Sequence, residues 1–394
     1  MESTGKAEIE LGGSLTTNEI CLAAVDLGGT KVTTLITDGA GKIIARQEEP
    51  LSTTSGAFAP RQDEAASNVA DGVVRDSVVH HGVTWYGPSS QIEKMLRGMM
   101  EEEGVSRLAG IGIGSAGPLK AGAIKNPTNF AVSIPDGMPS SPLFVPLVEP
   151  LESAFSAPVL LENDCNIAVL GEVFFGVGRD VADKESLHLV YVTMSTGLGG
   201  GVWSGGHLLL GKEGNAAEIG HILVKENGLR CGCGNAGCAE AYCSGRGIVQ
   251  NTRVHLVNSG LHAQSPLVRL LQQEAKDRGL SLPHTSSARW QLLELVTPQM
   301  VFHAAEEGDD AARSVIWDFI HYGAIVLSAI ANAYDPTVIT LGGSIAVNHP
   351  EIVKPMHAEM CKHLNVSPPT LRITPLEKRA VEYGAIVLAQ RARG

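Results

Sequence analysis

The chain has 394 residues, room for two or three domains with cores of their own. Its 42 acidic residues outnumber 30 basic ones, for a formal net charge of −12, which excludes a general nucleic-acid or membrane-surface binder that would need a basic face. Aromatics make up only 5%, too few to suggest base-stacking platforms, while 45 glycines, many clustered beside apolar runs, point to tight turns and close backbone approach to a ligand.

Residues 1–20 are polar, lack the apolar segment of a secretory signal, and are expected to form a flexible tail. Without an export signal, an odd set of seven cysteines is expected to stay reduced, and a cytoplasmic location follows. The stretch "CLAAVDLGGTKVTTLITDGAGKIIARQEE" then predicts an antiparallel meander: apolar strand, glycine turn, Val/Thr-rich strand, a second turn at Asp38-Gly39, third strand. Residues 50–90, rich in Ser, Ala, Gly and Pro, are expected to be an insertion, with a helical part around Glu64 to Val79 and "HHGVTWYGPSS" as an excursion. A helix is expected from Gln91 to Glu103, then the buried strand "LAGIGIGSAG", a further helix, a strand at Val159 to Leu161, and a helix from near Asp164 to about Phe175.

"LHLVYVTMSTGLGGGVWSGGHLLLG" repeats the opening pattern of strand, Gly/Thr turn, strand, turn, strand. Two copies suggest two similar α/β domains facing each other. A long helical stretch, roughly 245–334, is expected to break near Gly279 to Ser287. Its most membrane-like part, His321 to Tyr334, is short, ends at Asp335-Pro336, and reads as a buried helix. The chain closes with the strand "TVITLGG", a helix near Glu351 to Leu364, the strand "LRITPL" and the helix "VEYGAIVLAQRAR".

Three motifs carry chemistry. In "DLGGTK", Asp26 to Lys31, a strand delivers an acidic residue and then a Gly-Gly turn whose freed N–H groups can wrap a polyphosphate, with the Thr hydroxyl as a further donor. An ordinary hairpin turn is the alternative; the second copy, "STGLGGG" at Ser195 to Gly201, favours a two-sided phosphate clamp. In "LLENDCNIA", Asn163-Asp164 stands where a strand ends and a helix begins, which suits a helix cap and equally a catalytic group. In "AEIGHI" and "CGCGNAGCAE", His221 is followed by Cys231, Cys233 and Cys238, a tetrahedral set for a structural Zn²⁺. The CxC and Cx4C spacings are not those of a redox pair, and a disulfide would leave one thiol over.

With DLGGTK, IGIGSAGP, LLENDCNIA, STGLGGG, EIGH, CGCGNAGCAE and the late LGGS in order from Cys21 onward, the chain resembles the ROK family of sugar kinases in the actin/hexokinase-like ATPase superfamily. The resemblance implies an α/β protein of two ribonuclease-H-like domains with an interdomain active-site cleft and a zinc-binding loop. The expected layout is a tail over 1–20, an N-terminal domain over 21–158 with the insertion near 50–90, a C-terminal domain over 159–377 carrying the sugar site and zinc loop, and a closing helix over 378–394 packed back on the first domain. It implies Asp164 as the general base, with Gly117, Asn129, Asn163, Glu218, His221 and Glu240 around the sugar. It implies Asp26, Gly28, Gly29, Thr30, Lys31, Thr196 and Gly197 at Mg²⁺ and the phosphates of ATP, and Gly342 and Gly343 near the adenosine. The zinc would brace the loop so that Glu240, two positions past Cys238, is aimed at the sugar.

Glucose phosphorylated at its 6-hydroxyl is the expected reaction, with N-acetylglucosamine or N-acetylmannosamine as the alternative acceptors. A homo-oligomer, dimer or tetramer, is expected, with no nucleic-acid or membrane partner. The region 255–295 is longer than usual for the family, as is 50–90. A sugar-sensing repressor of the same family would carry a helix-turn-helix domain ahead of the first glycine hairpin, where this sequence has about twenty residues. A non-catalytic sugar binder would lack Asp164 or the hairpin threonines, and an acetate-kinase-like enzyme would lack the EIGH motif and zinc loop.

Overall fold

The computed structural model describes residues 20–52, 58–61, 82–126, 130, 142–212, 214–262, 264–280 and 286–394. The helix expected around Glu64 to Val79, most of the expected tail, and Asn129 lie outside the described residues. In chain order the elements are β1 (Cys21–Leu27), β2 (Lys31–Asp38), β3 (Ile43–Pro50), β4 (Phe58–Arg61), β5 (Gly82–Trp85), α1 (Gly87–Glu102), β6 (Leu108–Ser115), β7 (Leu119–Lys120), β8 (Ala123–Lys125), β9 (Leu143–Pro146), α2 (Val148–Phe155), β10 (Val159–Asn163) and α3 (Asp164–Phe174). They continue with β11 (Leu189–Met194), β12 (Leu198–Ser204), β13 (His207–Leu208), α4 (Gly245–Ser259), α5 (Pro266–Asp277), α6 (Ser286–Glu294), α7 (Pro298–Glu306), α8 (Asp310–Tyr334), β14 (Val338–Gly342), α9 (Gly343–Asn348), α10 (Val353–Met360), β15 (Thr370–Ile373) and α11 (Ala380–Arg393).

The chain divides into two units: Met1–Phe175 with Leu210–Asn215 and Arg379–Gly394, and Gly176–Leu209 with Ala216–Lys378. The first holds a mixed sheet in the order β10-β6-β1-β2-β3, in which β1, β2 and β3 form the antiparallel meander and β6 and β10 run parallel to β1. Both faces of this sheet are covered. Ala23, Val25, Leu27 and Ile113 pack on the side of Ile92 and Leu96 of α1, while Ala24 and Leu35 pack on the side of Ile167 of α3 and Ile386 of α11. Burial on both faces is why β1 reads as a nearly unbroken apolar run up to Asp26. The second domain, expected to begin at 159, begins later in space. β10 extends the first sheet through Val159↔Ile111 to Asn163↔Ser115, so β10 and α3 pack in the first unit.

The second unit repeats the pattern. Its sheet runs β15-β14-β11-β12-β13, with β11, β12 and β13 antiparallel and β14 and β15 parallel to β11. The echo in sequence is therefore an echo in topology, strand for strand. Val190, Val192 and Met194 of β11 share one core with Phe319, Val326 and Ile330 of α8. That helix is long and apolar enough to cross a membrane by length and composition alone, but 61% of its most apolar window is buried against this core. It starts at the Asp309 cap, whose side chain accepts from Ala312 N at 2.9 Å, and ends on left-handed Asp335, before Pro336.

Two further expectations needed correction. Among the described residues the helical stretch is five helices, not two: Ser265, Thr297 and Asp309 each cap a new start, and Pro266 and Pro298 open two of them. The excursion around "HHGVTWYGPSS" holds β5, an inner strand of a third sheet in the order β4-β5-β9-β8-β7, and α1 begins at Gly87. Four residues are too short a strand to show a period, and its fully buried Trp85, edge-on to Phe130 at 6.4 Å, reads in sequence like loop aromatics.

Candidate functional site

The carboxyl ends of the three parallel strands of the first sheet collect the acidic groups. Register aligns Leu27 with Ser115 and Ser115 with Asn163, so Asp26 and Asp164 flank one edge of the sheet. Asn163 is the helix cap: its Oδ1 accepts from Cys165 N at 2.9 Å and Asn166 N at 3.3 Å. The Asp164 carboxylate accepts from the backbone N–H of Cys165 at 2.8 Å and from the thiol of the same residue, and it is not needed to cap the helix. Crowding by protein atoms raises its pKa above the ordinary carboxylate value, against the pull of the Cys165 thiol and of backbone hydrogen bonds. Asp26 is pushed up to about 7, first by loss of hydration and then by the charges of Asp164 and Glu382, with Lys31 pulling the other way. Both carboxylates keep some solvent access, so dense surroundings, not full enclosure, cause the shifts.

Between β1 and β2 the turn Gly28-Gly29-Thr30 closes with Gly28 N donating to Lys31 O at 2.9 Å. Lys31 itself pairs with Glu48 at 3.1 Å, on the strand side of the turn. Glu382, almost buried, receives two bonds from Arg46 and one from Arg379. Sequence reading missed this cluster because its members lie more than 300 positions apart and belong to no local motif. A cavity of about 360 Å³ in the same unit is lined by Gly117 and Asn163, two of the residues expected around a sugar, and by Glu162 and Asn215, which were not among them.

The second unit holds the other turn. Ser195 N donates to Gly197 O at 3.0 Å, and Ser195 O accepts from Gly245 N at 2.7 Å, tying the turn to the start of α4. Ser195 and Thr196 line a cavity of about 580 Å³ together with Arg246, Phe302, Ser344 and His349. Gly342 and Gly343 sit at the end of β14, directly before Ser344. The imidazole of His349 lies flat on Phe302, centroids 3.5 Å apart and planes 9° apart, and its Nδ1 is 3.0 Å from Glu351. The volume suits a nucleoside.

The thiol loop lies in this unit too. Ligand atoms of His221, Cys231, Cys233 and Cys238 all fall within 4.8 Å of one another. Cys233 and Cys238 sulfurs are 3.8 Å apart, too far for a disulfide and equal to the edge of a tetrahedron with Zn–S bonds of ~2.3 Å. The loop closes on itself through Cys231 N to Asn235 O at 2.8 Å and Gly237 N to Leu229 O at 2.8 Å. Gly237 has φ +82°, and a Cβ there would meet Lys225 O at 1.7 Å, so no other residue fits. His221 turns Nδ1 to Cys231, 3.8 Å away, and Nε2 to Glu218, 3.8 Å away. Glu240 is held by Leu198 N at 3.1 Å and by the Cys231 thiol at 3.6 Å, which links the loop to the strand after the phosphate-type turn. Thus Asp26, Gly117, Asn163 and Asp164 assemble in the first unit, and Thr196, Gly197, Glu218, His221, Glu240 and Gly342 in the second.

Residues 84–392 match the sequence model of the ROK family, and the chain belongs to that family. A protein from Pyrobaculum calidifontis named glucokinase is 32% identical over 283 residues, covering 71% of this chain and 78% of that one. Another glucokinase, from Halalkalibacterium halodurans, is 28% identical over 335 residues, covering 84% and 82%. Among solved structures, the ROK hexokinase from Thermus thermophilus superposes with a TM-score of 0.64 at 26% identity, covering 94% of this chain and 98% of that one. The fold is the α/β fold of the ROK family, with mixed sheets of the actin/hexokinase-like type.

Proposed function

We propose that this chain, an ATP-dependent sugar kinase of the ROK family, transfers the γ-phosphoryl group of ATP to the 6-hydroxyl of glucose, with Asp164 as general base. The observation that carries the proposal is the division of labour at the start of α3: Asn163 supplies the cap, and the adjacent Asp164 carboxylate, with its raised pKa, is left for chemistry. A sugar hydroxyl does not ionise near pH 7, so attack needs an acceptor for its proton, and a positioned carboxylate contributes ~10²–10⁴-fold. Asp164 takes that proton as the 6-oxygen attacks phosphorus and the bond to the ADP oxygen breaks. Asn163 and Gly117, with Glu218, His221 and Glu240, orient the ring hydroxyls. The turns at Gly28-Gly29-Thr30 and Thr196-Gly197 offer backbone donors to the phosphates, and Asp26 is the carboxylate for Mg²⁺, which when bound draws off phosphate charge.

The adenosine is assigned to the 580 Å³ cavity of the second unit, beside Gly342 and Gly343. His221, Cys231, Cys233 and Cys238 fit a tetrahedral zinc, whose role is to hold the loop that carries Glu240. The chain is taken to work as a cytoplasmic homo-oligomer, and the net charge of −12 agrees with the lack of a nucleic-acid or membrane partner. An N-acetylhexosamine is the second reading of the acceptor, since the same polar residues serve either ring.

The test is ADP release against a panel of hexoses and N-acetylhexosamines. Glucose should exceed N-acetylglucosamine in kcat/KM by at least ~100-fold, the discrimination expected when an acetamido group clashes or is buried unpaired. A reversed ratio would make the second reading correct.

A further inference from the structure

Six residues, Leu210–Asn215, pack with the first unit although the chain on both sides of them packs with the second. Their anchor is Asn166, two positions past Asp164 on α3 and 1% exposed. Its amide Nδ2 donates to Gly214 O at 3.3 Å and to Glu162 Oε1 at 3.1 Å, and the same carboxylate oxygen accepts from Asn163 N at 2.8 Å. The amide oxygen of Asn166 is buried with no hydrogen-bond partner among the described residues. That is a costly arrangement for a helix interior, so the side chain is kept there for its two donor bonds. Gly214 has φ +78° and passes close to the Glu162 carboxylate, a conformation that a side chain would strain. The next residue, Asn215, is exposed and lines the cavity that Gly117 and Asn163 also line.

We propose that Asn215 is a further sugar-contacting residue, held over this cavity by Asn166, which acts as a positioning residue through Gly214 and Glu162. An amide is suited to the task because it both donates to and accepts from ring hydroxyls. The inference rests on reading this cavity as part of the acceptor site.

The experiment measures KM for glucose and for ATP, with direct glucose binding by calorimetry, in four variants. Asn215→Ala should raise KM for glucose ~5–10-fold, with KM for ATP and the thermal midpoint unchanged, because the side chain is exposed. Asn166→Asp keeps the size but turns an acceptor toward Glu162 and Gly214 O. It should raise glucose KM by ~10-fold or more, and adding Glu162→Gln should recover part of the loss by restoring a donor. Should Asn166→Asp fail to fold, Asn215→Ala decides alone. If Asn215→Ala leaves glucose KM unchanged while Asn163→Ala raises it, the inference is overturned and the acceptor-site reading stands. If neither variant changes it, the cavity is not the acceptor site and both fall.

Discussion

Asp26 shows how one residue links stability to chemistry. Its folded pKa of about 7 lies above the ordinary value of 3.8, so between those values the folded state holds a proton that the unfolded state has lost. Stability therefore falls as pH rises from about 4 to about 7 and is level above. Asp26→Asn removes this penalty. The variant's thermal midpoint should match the parent near pH 4 and exceed it increasingly up to about pH 7.5, in the absence of nucleotide and Mg²⁺. An equal difference at every pH would mean that Asp26 ionises normally in the fold. The same substitution should weaken catalysis, because a crowded carboxylate beside Asp164 is a poor structural choice that a bound cation would relieve. The sequence names Asp26 as strand end plus glycine turn, but its shift was not legible, since Glu382 reaches it from the closing helix.

At the scale of elements, the thiol loop was legible because its candidate metal ligands and glycines lie within eighteen positions of one another, from His221 to Cys238. Purified protein should contain about one zinc per chain. Cys233→Ser should lower both the thermal midpoint and glucose affinity, since metal binding is coupled to folding of the loop that carries Glu240. A fully active preparation free of metal would contradict the assignment. The cavity proposed for the nucleoside was only partly legible. Gly342-Gly343 directed attention to the end of β14, next to its lining residue Ser344, but the stack of His349 on Phe302 joins the residue after α9 to a helix about 45 positions earlier, and neither residue stands in a motif. His349→Ala should raise KM for ATP ~10-fold and leave KM for glucose alone, while His349→Phe keeps a flat ring and most of the affinity. A rise in glucose KM instead would move the nucleotide elsewhere.

For the whole molecule, the duplicated sheet was readable because each copy announces itself by local rules: an apolar run, a Gly/Thr turn, a second strand. Parallel additions obey no such local signal. β10 reads as a strand from its own residues, yet its partner β6 is set by crossover packing, and this placed the border between the units after Phe175. The same placement puts Asp164 on the sheet edge that bears Asp26, and the proposed phosphoryl transfer depends on that carboxylate. The direct measurement is kcat for glucose-dependent ADP release by Asp164→Asn, with the product identified as glucose 6-phosphate in the parent. The variant's kcat should fall by ~10²-fold or more, with the thermal midpoint little changed because Asn163 still caps α3. A variant that melts early but keeps its kcat would show that Asp164 serves the fold alone and would overturn the mechanism.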